Sequence, residues 1–191
     1  MSRRFLVVWS CAFLTSLLGG GTILADEVES GPAVNEKLSP LEVRLVQNGQ
    51  AADVKDVLPD HAEHPTVYVF ISAEQFDRPA AGYLRGIDGE IQKLQRKDPL
   101  AGFVIVWLAA DPDAGIERVA RIQQALRFLA AHWSVFPGGV NGPEGWAIND
   151  RAAVTTVIAV GREVKGRMGY TVVNDTNVKD VTEVLAKFTA E

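Results

Sequence analysis

Thr66-Val67-Tyr68-Val69-Phe70-Ile71-Ser72 is the stretch on which the fold of this chain turns. It is a near-continuous apolar run bounded by Pro65 and a polar cluster, and a run without polar alternation reads as a central strand covered on both faces. Outward from it, Pro79 opens a helical stretch in which Leu84, Ile87, Ile91 and Leu94 recur at three- and four-residue steps, with Arg85, Glu90, Lys93 and Arg96 on the other side. Asp98-Pro99 ends it. A second buried strand follows at 102–109, and Asp111-Pro112-Asp113 introduces a helix carrying Ile116, Val119, Ile122, Leu126 and Leu129 on one face. Strand, helix, strand, helix implies a parallel pair joined by a right-handed crossover.

Before that unit, Leu41, Val43 and Leu45 alternate with Glu42 and Arg44, the period of a half-buried strand, which Asn48-Gly49 ends. Residues 53–65 read as a polar connection. After the unit, Phe136 to Gly145 is a loop rich in turn formers, flanked by Trp133 and Trp146, and it fits a cover over the sheet edge with the tryptophans packed as core. Strand character returns at 154–160, and Gly161-Arg162 reverses the chain into 163–168, a hairpin signal. Val178, Val181, Leu185 and Phe188 then share one face of a last helix, capped by Asp175, Thr176 or Asn177. The order β-β-α-β-α-β-β-α predicts an α/β domain with a central mixed sheet flanked by helices.

Residues 1–25 run from a basic start (Arg3, Arg4) through an apolar stretch to Gly19-Gly20-Gly21 and Ala25, followed by acidic Asp26-Glu27. That layout predicts a secretory signal peptide cleaved after Ala25. An uncleaved anchor is the alternative, since Phe5 to Leu24 is about the 20 residues a bilayer span needs. Both place the domain outside the cytoplasm, periplasmic or extracellular, and cleavage leaves no membrane attachment. Residues 26–39 are polar with scattered Gly and Pro and read as a mobile lead, with the folded domain over 40–191. The chain of 191 residues, 47% hydrophobic, holds enough apolar material for one domain, and its formal net charge of −5 argues against nucleic acid, which needs a concentrated Lys/Arg face. Its one cysteine, Cys11, falls within the segment that cleavage discards, so the exported form contains no thiol.

Two segments carry a family resemblance. Ala153-Val154-Thr155-Thr156-Val157-Ile158-Ala159-Val160-Gly161-Arg162-Glu163-Val164 is similar to the segment in which thioredoxin-like and peroxiredoxin-like proteins place a cis-proline, a threonine, an apolar strand and a glycine-turned hairpin. Val69-Phe70-Ile71-Ser72-Ala73, ahead of a helix, resembles the strand that delivers their active-site loop. The order of elements over Pro40 to Phe188 resembles theirs as well, which implies a thioredoxin-like fold. On that resemblance, read without gaps, the two cysteines of the CxxC motif map near Gln75 and Arg78, and the cis-proline position is Thr155. No threonine-x-x-cysteine of the peroxidatic kind occurs. Disulfide exchange needs a sulfur nucleophile, and peroxide reduction in the family passes through a sulfenic acid, so a chain without thiols supports neither. Thr155 predicts a trans peptide, since a non-proline cis bond costs about 2.5–4 kcal/mol.

Ligands of parallel α/β layers gather beyond the carboxyl ends of the strands. That rule brings Glu74, Gln75, Phe76, Asp77 and Arg78 beside Asp111 and Asp113, with Thr155 close, and makes these eight residues the candidate partner-binding surface. The acids are expected to cap and charge helix N-termini rather than to hold a cation. Asp60-His61-Ala62-Glu63-His64 reads as a polar surface connection rather than a zinc or copper site, and His132 as a helix-terminal residue. No catalytic residue, cofactor or metal site is therefore assigned. The expectation is an exported, redox-inactive thioredoxin-like domain that acts as a binding or scaffolding module for an envelope or extracellular protein or peptide. The alternative is a cysteine-independent, metal-assisted enzyme using the acidic edge.

Overall fold

The computed structural model describes residues 27–61 and 63–189. Its strands are β1 (Glu42–Gln47), β2 (Gln50–Asp56), β3 (Pro65–Ser72), β4 (Gly102–Leu108), β5 (Ala131–Val135), β6 (Val154–Val160) and β7 (Glu163–Tyr170), and its helices are α1 (Arg78–Gln95), α2 (Pro112–Leu126) and α3 (Val178–Thr189). The strands form one sheet in the order β2-β1-β5-β4-β3-β6-β7. β3, β4 and β5 run parallel, while β1, β2, β6 and β7 pair antiparallel with their neighbours. This is the mixed α/β architecture expected from the order of apolar runs.

The strand period of two divides the core. Val67, Val69 and Ile71 of β3 and Phe103, Ile105 and Trp107 of β4 share one apolar cluster with Leu84 and Ile87 of α1, Val119 of α2, and Val181 and Leu185 of α3. The alternate residues Tyr68, Phe70, Val104 and Val106 belong to a second cluster with Leu38, Leu41, Leu58 and Trp146, to which none of α1, α2 and α3 contributes. The two successive parallel crossovers, β3-α1-β4 and β4-α2-β5, step in one direction along the sheet, so both helices lie on one face. The opposite face is covered by irregular chain. There Trp146 packs against Tyr68 and Phe70, and its indole N–H donates to the Ser39 carbonyl at 3.1 Å.

Several elements differ from their sequence expectations. Asn48-Gly49 does not merely end β1: with φ of 52° and 80° these residues form the tight turn of a hairpin, and β2 follows at once. The α2 helix stops at Leu126, where Arg127 takes a left-handed φ of 50°, so Leu129 lies past the helix and is 81% exposed. Asp88 of α1 explains the stop: its buried carboxylate accepts from Leu129 N (3.2 Å), Ala130 N (2.8 Å) and Ala131 N (3.2 Å), which fixes extended backbone into β5. His132 is accordingly a strand residue and not a helix terminus. Asn174, not one of the three residues after it, accepts from Thr176 N at the short 3-10 turn Asp175–Asn177 that leads into α3.

Residues 27–39, expected to be a mobile lead, run along the outer edge of β7. Val28 N donates to Gly169 O, Asn35 N to Val164 O, Val164 N to Glu36 O and Leu38 N to Arg162 O, at 2.7–2.9 Å. Ser30 and Leu38 are buried there. The proposed signal segment and Cys11 lie outside the described residues, and no described helix is long and apolar enough to cross a membrane.

Candidate functional site

The carboxyl ends of β3 and β4 open onto two short loops that each lead into a helix. Asp77 accepts from Ala80 N at 2.9 Å and so caps α1, with Pro79 in the first turn where a missing N–H costs nothing. Asp111 caps α2 by accepting from Asp113 N (3.0 Å) and Ala114 N (3.1 Å). Asp113 reaches the other way, to Arg44 of β1 at 2.9 Å. Among the described residues no three His, Cys, Asp or Glu side chains come together as cation ligands. The acids at this edge hold helix ends and an arginine.

The loop 73–77 sends its side chains in two directions. Phe76 packs edge-on against Trp107 of β4, with ring centres 5.0 Å apart, and the Arg118 guanidinium lies 5.4 Å from the Trp107 ring. Gln75 and Asp77 instead line a cleft of about 230 Å³ with Ala80, Arg151, Ala153 and the segment after β7, Thr171 to Val173. Backbone bonds fix this cleft's frame: Ser72 N donates to Ala153 O (3.1 Å), Ala153 N to Tyr170 O (2.8 Å) and Ala73 N to Leu108 O (2.9 Å). Glu74 and Arg78, beside Gln75 and Asp77 in the chain, are exposed.

Thr155 is not part of this cleft. It is buried on the helix-free side of β6, where its hydroxyl meets Ser30 at 2.5 Å. The residue at the mouth of β6, bonded to both neighbouring strands, is Ala153. The described backbone contains no cis peptide bond. On the helix-facing side Thr156 bonds the Tyr83 hydroxyl at 2.8 Å, and the Tyr170 hydroxyl donates to Asp180 at 2.7 Å. Burial raises both tyrosines well above their usual pKa, so both hydroxyls stay protonated at neutral pH.

The structure thus joins Gln75 and Asp77 in one cleft, turns Phe76 toward β4, and leaves Asp111 and Asp113 at the neighbouring helix end. Arg151, Ala153, Thr171, Val172 and Val173 were missed from sequence. Counting back from the Gly161 turn sets Val154 opposite Gly169; the bulge between Ile158 and Ala159 shifts that to Tyr170, and the latter four residues, just outside this pair, frame the hairpin's open end.

No protein-family model matches the chain, and no curated protein matches its sequence. Solved structures do match. Peroxidoxin BcpB from Mycobacterium tuberculosis has a TM-score of 0.60 at 13% identity, covering 82% of this chain and 97% of that one. AhpC from Enterococcus faecalis has a TM-score of 0.59 at 15% identity, covering 83% and 95%. A DsbF homologue from Corynebacterium diphtheriae has a TM-score of 0.56 at 12% identity, covering 89% and 95%. A chain with one cysteine cannot form the CxxC motif. The chain has the thioredoxin-like fold without the CxxC pair.

Proposed function

We propose that this chain is an exported, redox-inactive thioredoxin-like domain that binds a protein or peptide of the envelope or extracellular space through the cleft at the start of α1. The observation that carries this reading is the cleft itself: the loop with Gln75 and Asp77, the mouth of β6 and the end of β7 meet around an open space. Val172, 55% exposed, offers an apolar contact at its edge, and Asp77 and Arg151 line it with opposite charges. Such a rim suits an extended peptide better than a small apolar ligand. The metal-assisted alternative has no supporting observation, because Asp77, Asp111 and Asp113 are each committed to a helix end or to Arg44.

A photo-crosslinking residue placed at Gln75 or Val172 of the full-length chain, expressed in its own host, tests the reading. Adducts to one exported partner are expected from both positions and not from Leu129, which is exposed away from the cleft. Equal adducts from all three positions, or reduction of insulin disulfides by the purified protein, would overturn it.

A further inference from the structure

We infer that His61 and His132 form a two-imidazole site for a borderline transition-metal cation such as Cu²⁺ or Zn²⁺, at the end of the parallel strands opposite the cleft. The two residues are far apart in sequence, yet their ring centres lie 5.9 Å apart at an interplanar angle of 50°. With a metal–nitrogen bond of about 2.0 Å, and a ring nitrogen roughly 1.1 Å from its own ring centre, two imidazoles on one ion have centres about 5 Å apart at a tetrahedral angle and about 6 Å apart when opposed. The observed separation falls inside that interval. It is reached without moving either backbone.

The donor atom on His61 is set by its surroundings. Its Nδ1 faces the Leu100 carbonyl at 3.4 Å, and a carbonyl only accepts, so the proton belongs on Nδ1 and the lone pair on Nε2. A carbonyl holding one ring nitrogen while the other ligates is the usual orienting arrangement for a metal-bound histidine. Gly102 makes room for this ring: a Cβ there would stand 2.7 Å from His61 Nδ1. His132 is exposed, which leaves its ring open to an ion and its waters.

The neighbours narrow the ligand set to these two. His64 is turned away onto Asp98 at 2.8 Å, and Asp60 is engaged by Lys55 at 2.6 Å. Water completes the coordination, which selects nitrogen-seeking ions over Mg²⁺ or Ca²⁺.

The test is titration of the purified full-length protein with CuCl₂ and with ZnCl₂, read by calorimetry, melting temperature and, for copper, electron paramagnetic resonance. One saturable site, nitrogen hyperfine structure and a rise in melting temperature with metal concentration are expected. His61→Asn and His132→Asn should each weaken binding about tenfold or more, while His64→Asn and MgCl₂ in place of copper leave the readouts at wild-type and at baseline respectively. His132→Asn changes an exposed side chain, so it tests the site even if His61→Asn loosens the fold. Absence of a saturable site, or a site that survives His132→Asn or disappears with His64→Asn, would overturn the inference.

Discussion

Ser30 and Thr155, 125 positions apart, share a buried hydroxyl–hydroxyl hydrogen bond of 2.5 Å that fastens the N-terminal segment over β6. The same Ser30 oxygen accepts from Asn149 N at 2.9 Å, so one side chain ties together the first described residues, the long loop after β5 and a central strand. Gly31, at φ 93°, allows the segment to pass this closely, since a Cβ there would stand 3.1 Å from Val157 Cγ2.

Unequal costs follow for the two partners. Ser30→Ala strands both the Thr155 hydroxyl and the Asn149 N–H and should cost about 2 kcal/mol, whereas Thr155→Val leaves Ser30 its bond to Asn149 and should cost about 1 kcal/mol. Urea midpoints measure both. A Thr155→Val variant less stable than Ser30→Ala would show that the hydroxyl pair, and not the three-way junction, holds the segment.

Asp88 gives the largest single-site effect. Besides the three backbone N–H groups at the start of β5, its carboxylate accepts from Gln92 Nε2 at 2.6 Å. Asp88→Ala leaves three backbone donors without a partner in a mostly buried site and should cost about 3 kcal/mol. Hydrogen exchange should show lost protection first at Ala130 and Ala131. Uniform loss across the sheet would mean that Asp88 serves global packing and not this junction.

That same carboxylate marks where the sequence stopped being readable. β3 and β4 were plain because each is an uninterrupted apolar run, and α1 and α2 were plain because Asp77-Arg78-Pro79 and Asp111-Pro112 combine a cap with an N-terminal proline. β5 was hidden because Leu126 and Leu129 continue a helical period into it, and the side chain that ends the helix lies in α1. β2 was hidden because an outer strand with most residues exposed has no apolar face to alternate. At the candidate site the loop 74–78 followed from topology alone. The opposite wall, from Arg151 to Ala153 and Thr171 to Val173, depended on a register that local pattern leaves two residues uncertain, and Thr155 differs from Ala153 by that amount.

The expectation that the family's cysteines map near Gln75 and Arg78 can be tested directly. Gln75 and Arg78 are exposed, one in the loop and one opening α1. Gln75→Cys with Arg78→Cys should therefore change stability by no more than about 0.5 kcal/mol in the reduced form. Mild oxidation should close an intramolecular disulfide, read as the loss of both thiols without dimer. A pair that reacts only between molecules would show that this loop no longer holds the geometry of its fold relatives.

Gly86 and Val178 make the contact between α1 and α3. A Cβ at Gly86 would stand 2.4 Å from Val178 Cγ2 and 3.2 Å from Cγ1, and a helical valine has little rotamer freedom with which to withdraw. Gly86→Ala gains about 1 kcal/mol of helix propensity but meets an overpacking cost of about 1–3 kcal/mol, so a net loss is expected. Adding Val178→Ala removes the clash and should restore part of the loss. A double-mutant cycle with zero coupling would place the cost elsewhere.

Alkaline pH supplies a global readout, because the chain has three tyrosines, Tyr68, Tyr83 and Tyr170, and all three are buried. Burial raises each of them above the ordinary value of 10.0; the Asp180 carboxylate adds to the effect at Tyr170, while bonds from Thr66 and Thr156 oppose it at Tyr68 and Tyr83. A folded pKa above the unfolded one means that below about pH 10 both states keep their protons and stability does not change on this account. Above it the unfolded chain releases protons that the folded chain retains, so stability falls as pH rises. Tyrosinate absorbance should stay flat past pH 10 and then appear in one step that coincides with the loss of far-ultraviolet circular dichroism. Tyr83→Phe, which removes one titrating group, should move that step to higher pH once its baseline stability is subtracted. A gradual rise in absorbance with the fold intact would mean that at least one of these hydroxyls reaches water in the folded protein.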